Sequence, residues 1–211
     1  MSYDAFWSVS SKLRMTMRGT PEQRIEPRPG KEQLAERYWE QRSKLLVANK
    51  HDTVAGRLVA VFSDAPSVGS GWVPVSVAND DEARSLCVWW NSTPVRVMLL
   101  NRRTRKLTYP SWSLDQLRGI LVPSSDNPGW GDLLAAYEKA CDIELLPLRD
   151  GELCEGRRII DYAAARVLAV PESTIADWRR RLAREPTISN RAAEAAEGEA
   201  TQLSEAETHI G

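Results

Sequence analysis

The chain is poor in the residues that staple or coordinate. Its 211 residues include 3 cysteines and 2 histidines. Cys87, Cys141 and Cys154 show no paired spacing, and an odd count argues against a disulfide framework. With only His51 and His209 besides, no zinc site built by the protein itself is expected. Long apolar runs are missing too. Stretches such as Val95 to Leu100 are far too short to span a bilayer, and no charged, apolar and small-residue leader pattern opens the chain. The expected location is therefore the cytoplasm, with no membrane partner.

What is present is ordinary for a folded protein. Hydrophobic residues make up 42% and charged residues 27% of the chain, which is long enough to bury a core as one domain with an appended helical piece. The formal net charge of -1 hides an asymmetry. Residues 1–125 hold 18 Lys and Arg against 12 Asp and Glu, a net of +6, whereas residues 126–211 hold 10 against 17, a net of -7. The first part attracts a polyanion and the last part does not.

Taken in order, residues 1–30 read as an N-terminal extension. Tyr3, Phe6, Trp7, Met15 and Met17 cover an edge of the core or meet another chain, and Pro21, Pro27, Pro29 and Gly30 make a linker. Lys31 to Arg42 has helix formers throughout. Leu45 to Ala48 and Arg57 to Phe62 read as adjacent strands, the second bounded by Ser63 to Pro66. Trp72 to Val77 is a third strand, and Pro74 assigns it to a sheet edge because it lacks an N–H. Asn79 to Glu82 caps a helix running to about Asn101, split by Pro94 at the Asn-Ser-Thr step. Gly131 to Cys141 is an amphipathic helix, and Gly156 to Val170 and Glu172 to Arg184 are two more, broken at Pro171. From Asn190 onward large apolar residues nearly vanish and Arg191 faces five glutamates, as in a disordered acidic tail.

The expected fold class is α+β: a small mixed or antiparallel sheet with packed helices, then a helical hairpin and a disordered tail. The expected organisation is an extension over 1–30, a core over 31–125, a helical closing segment over 126–188 and a tail over 189–211.

The stretch from Leu86 to Pro123 organises the rest. Apolar helix leads to Asn91, Ser92 and Thr93, then to more helix carrying Arg96, and then to Arg102, Arg103, Arg105 and Lys106, with Tyr109, Ser111 and Trp112 close behind. Cations displace counterions from a phosphate backbone, and flat rings stack on bases. The apolar segment Leu114 to Val122 pins this loop from behind. Asn91, Ser92 and Thr93 stand either where polar side chains face a groove or where they satisfy the backbone of a broken helix. A secondary cluster, Arg179, Arg180 and Arg181, follows small residues, a turn and Ile175. Residues 160–185 thus have the pattern of a helix-turn-helix, whose second helix enters a major groove.

Asn91-Ser92-Thr93-Pro94 after an apolar helix, the basic loop, and Leu114, Leu117 and Ile120 to Pro123 together resemble the C-terminal target-recognition region of N6-adenine DNA methyltransferases. That region's "N-S-(T/K)" helix and "lPvP" strand recur in the specificity subunits of type I restriction systems. Tyr38 to Arg42, Arg57 to Val61, Ala65 to Trp72 and Leu182 to Pro186 extend the likeness in order and spacing over residues 35–188. The resemblance implies double-stranded DNA as partner, with S-adenosylmethionine held by a separate catalytic subunit and no cofactor here. The family's catalytic motifs are missing: Asn127-Pro128-Gly129-Trp130 has Gly129 where a second proline is required, and no glycine-rich cofactor loop follows a strand. Gly69-Ser70-Gly71 lacks the spacing of a nucleophile elbow. The expected function is a DNA target-recognition module acting with a separate methyltransferase chain and not catalytic by itself. A helix-turn-helix regulator and a protein-interaction domain are the alternatives.

Overall fold

A computed structural model of the chain describes residues 2–6, 15–50, 57–102, 111–185 and 188. The expected acidic tail, 189–211, lies outside the described residues. In order, the elements are β1 (Tyr3–Phe6), β2 (Gln23–Ile25), α1 (Glu32–Glu40), β3 (Ser43–Ala48), β4 (Ala60–Gly69), β5 (Trp72–Val75), α2 (Asp80–Asn91), α3 (Thr93–Arg102), α4 (Leu114–Arg118), α5 (Trp130–Ala140), a 3-10 turn (Leu148–Leu153), α6 (Glu155–Leu168) and α7 (Glu172–Ala183).

The strands form one mixed sheet in the order β2-β1-β4-β3-β5, parallel only between β1 and β4. This is the α+β class that the sequence predicts. Pro74 sits opposite Leu46 in β5, at the edge of the sheet. The first thirty residues do more than extend the chain, because they supply β1 and β2. Phe6, fully buried, packs with Leu46, Ala48, Val61 and Trp72 on one face of the sheet. Leu45, Val47, Ala60 and Phe62, on the alternate positions, face a larger core shared with α2, α5 and α6. Leu133, Ala136 and Tyr137 of α5 and Ile160 of α6 join that same cluster. The expected boundary near residue 125 therefore does not divide the hydrophobic core.

Two local expectations change. Ser63 to Pro66 does not end β4. The partner of Ser43 is Ser67 while that of Leu45 is Phe62, so the intervening residues form an irregularity in a strand that resumes to pair with β1. Ile120 to Pro123, where the resemblance implies a strand, is not one either. Ser113 and Gln116 form a reciprocal capping box that starts the short helix α4, and Leu121 and Val122 beyond it are exposed.

The helix break falls where the polar triplet predicts it. Ser92 is extended (φ -71°, ψ 156°), and its hydroxyl donates to the Trp89 carbonyl at 2.6 Å, satisfying a freed acceptor at the end of α2. Pro94 stands in the first turn of α3, where a missing N–H costs little. Asn79 caps α2 through the Glu82 N–H, as predicted. At the other end Asn91, fully buried, behaves like a piece of backbone. Its Oδ1 accepts from the N–H groups of Val59 (2.7 Å) and Ala60 (3.2 Å), and its Nδ2 donates to the carbonyls of Ala60 (2.8 Å) and Cys87 (2.9 Å). The start of β4 is thereby tied to the end of α2. Replacing Asn91 by Ala strands two buried donors, and the expected loss is about 2–4 kcal/mol, read as a lower urea midpoint at unchanged m-value.

Candidate nucleic-acid interface

The basic run begins at the C-terminal end of α3. Arg102 is exposed, its carbonyl accepts from the Gln116 side chain at 2.7 Å, and its guanidinium lies over Gly119. Arg103, Arg105, Lys106 and Tyr109 lie outside the described residues. The chain returns at Ser111, half-buried, which forms a β-bridge with Lys50 just beyond β3. Trp112 follows, 4% exposed. Its backbone N–H donates to the Asn49 carbonyl and its Nε1–H to the Leu99 carbonyl, both at 2.9 Å. Trp112 is thus a core residue that fixes the return of the segment, and it has no ring face free for a base. The geometry also adds Lys50, an exposed cation that the bridge sets beside Ser111, where the described chain resumes. Only the long-range pairing reveals it, since nothing near Lys50 in the chain points there.

Asn91, Ser92, Thr93 and Arg96 were candidates for a groove-facing surface, and all four are buried. Thr93 donates its backbone N–H (2.8 Å) and hydroxyl (2.7 Å) to the carboxylate of Asp161 in α6. Arg96 donates to the Arg57 carbonyl at 2.6 Å, and Arg157 of α6 donates to the same oxygen at 2.7 Å. Desolvation lowers the pKa of Arg96 well below its usual value, and the neighbouring Arg157 adds to the effect. These residues bind the chain to itself, the structural one of the two roles open to the triplet.

The helical hairpin of α6 and α7 is present. Ala169 makes the turn in the left-handed region (φ 52°) and Pro171 precedes α7. Gly129 lets the start of α5 approach closely: a Cβ there would stand 2.5 Å from the backbone nitrogen of Val167. The three arginines of the hairpin are unequal. Arg179 points inward, its side chain 12% exposed, and donates to Asp161 at 2.6 Å. Burial pushes the Asp161 carboxyl up, and the Thr93 and Arg179 hydrogen bonds pull against that shift. Arg180 pairs with Glu152 and Asp177, and Arg181 with Asp177, at the surface. Arg179 is spent on the core, so a groove-reading α7 would have to rely on the outer two.

No protein-family model matches the chain, and no curated protein matches it in sequence. Its fold is similar to part of a type IIG restriction endonuclease, BpuSI. The TM-score is 0.57 at 11% identity, over 86% of this chain and 26% of that one. The present chain thus spans about a quarter of the length of the enzyme it matches, and at that identity the likeness is one of fold. No His, Cys, Asp or Glu cluster able to hold a metal occurs among the described residues, and no described helix is long and apolar enough to cross a membrane.

The contrast within α7 is testable. Arg179→Ala leaves the Asp161 charge buried without its cationic partner and should cost about 3–5 kcal/mol. Arg180→Ala and Arg181→Ala remove exposed pairs and should each change stability by less than about 1 kcal/mol. Urea unfolding of the three variants checks the ranking.

Proposed function

We propose that this chain is a DNA-binding module of a restriction-modification system. In this reading its role resembles that of the target-recognition region of an N6-adenine DNA methyltransferase. A separate catalytic subunit supplies S-adenosylmethionine and the groups that hold the target amine. The observation that carries the reading is the cation run from Arg102 to Lys106, set between two fixed anchors. Gln116 holds the Arg102 carbonyl on one side, and the Lys50 bridge and the two Trp112 hydrogen bonds hold the other. Fixed ends hold Arg102 and Ser111 in place ahead of any ligand, which lowers the entropic cost of binding there. The excess of positive charge over residues 1–125 and the fold likeness to a restriction enzyme support the same direction.

The mechanism is binding. Arg102, Arg103, Arg105 and Lys106 fix the duplex through its phosphates, with Lys50 alongside, and Tyr109 and Ser111 stand next to reach base edges. Trp112 holds the return of the segment and Asn91, Ser92, Thr93 and Arg96 hold the scaffold, so their substitution acts through folding.

Titration of a fluorescent duplex at several salt concentrations tests the proposal. Each phosphate contact contributes about 0.9 to the slope of log affinity against log salt, so replacing the four cations by Ala should flatten the slope by about 3–4 and weaken binding. The Arg180→Ala and Arg181→Ala variants should bind like the parent. An unchanged slope in the quadruple variant removes the segment from DNA contact, and loss of a protein partner in its place points to an interaction domain.

A further inference from the structure

Beside the first residue of the cation run, α3 and α7 leave a slot of about 310 Å³ between them. Val97, Leu100 and Leu182 form its apolar walls together with Trp178, which is 36% exposed. Asn101, Arg181 and Glu185 add polar groups to its lining. We propose that this slot receives a single unpaired nucleobase, a proposal that rests on the DNA-binding reading and specifies what such a surface takes besides duplex.

The chemistry of the lining makes the case. A nucleobase has two flat π faces and an edge of donors and acceptors, so it needs apolar walls, an aromatic partner and a mixed polar rim. Trp178 supplies the ring. The Asn101 amide both donates and accepts, and the Arg181 guanidinium donates to a phosphate or a ring carbonyl. Arg181 is held to Asp177 at 2.7 Å but its side chain is 79% exposed, a pair weak enough to exchange for a phosphate. Asn101 immediately precedes Arg102, the exposed first cation of the run.

Two other cavities are lined differently. The one between α1 and the sheet, lined by Tyr3, Ile25, Leu34 and Trp39, is almost wholly apolar, and the one between α5 and α6 sets Asp132, Glu155 and Glu172 beside Lys139 and Arg158.

The test uses the full chain and three fluorescent duplexes: fully paired, with one bulged adenosine, and with an abasic residue at the bulge. The bulged adenosine should bind roughly tenfold more tightly than the abasic control, the magnitude of one base stacked on an aromatic ring. Trp178→Ala should erase that difference while leaving fully paired duplex unaffected, and Trp178→Phe should keep part of it. Asn101→Ala, at an exposed position where folding is not at stake, should change the preference between bulged adenosine and bulged thymidine without altering paired-duplex affinity. Equal binding of the bulged and abasic duplexes, with paired duplex still bound, overturns the slot and leaves the DNA reading intact. Binding to none of the three overturns both. A difference that survives Trp178→Ala places the base elsewhere and overturns the slot, as does a Trp178→Ala variant altered only in self-association.

Discussion

The Asp161 carboxylate is the point on which the helical layer turns. It lies buried in α6 and accepts from Thr93 at the start of α3 and from Arg179 in the middle of α7. One charged group thus sets three helices relative to one another. A buried carboxylate is costly by itself, and good geometry with full hydrogen bonding is what offsets the cost. Its value here is directional: apolar contacts would let α7 slide along α6, whereas an ion pair at one position holds the register.

Around that carboxylate the interior is unusually cationic. Arg96 and Arg157 are buried, and burial lowers the pKa of both. Backbone carbonyls do the work that further acids would otherwise do. The Arg57 oxygen accepts from both guanidinium groups and the Leu146 oxygen from Arg157. Together with Asn91, which takes the N–H groups of Val59 and Ala60, these contacts determine where the chain enters β4. The sheet and the helices are joined through polar groups as much as through the apolar cluster. This explains why so many polar side chains of one stretch turn inward.

Much of the fold was legible where local chemistry decides it. Asn79 as a cap, the break before Pro94, Pro74 at an edge and the pause at Pro171 each follow from a single residue's backbone preference, and each is found. What escaped depends on partners distant in sequence. The strands of the first thirty residues form because β4 offers an edge, and the bulge at Ser63 to Pro66 looks locally like a strand end. The site was read less well for the same reason. Asn91, Thr93, Arg96 and Arg179 have the composition of a DNA-facing surface, and only Val59, Asp161 and Arg57 show that they face inward. Trp112 looked like a stacking ring beside cations, and the Leu99 and Asn49 carbonyls claim it.

The two rims of the sheet carry a common guard. Pro74 interrupts the row of donors along β5, and at the opposite rim β2 is three residues long with Pro21 and Pro27 on either side of it. Strands so marked make poor templates for a neighbouring polypeptide. Growth of the sheet into another molecule is thus discouraged in both directions.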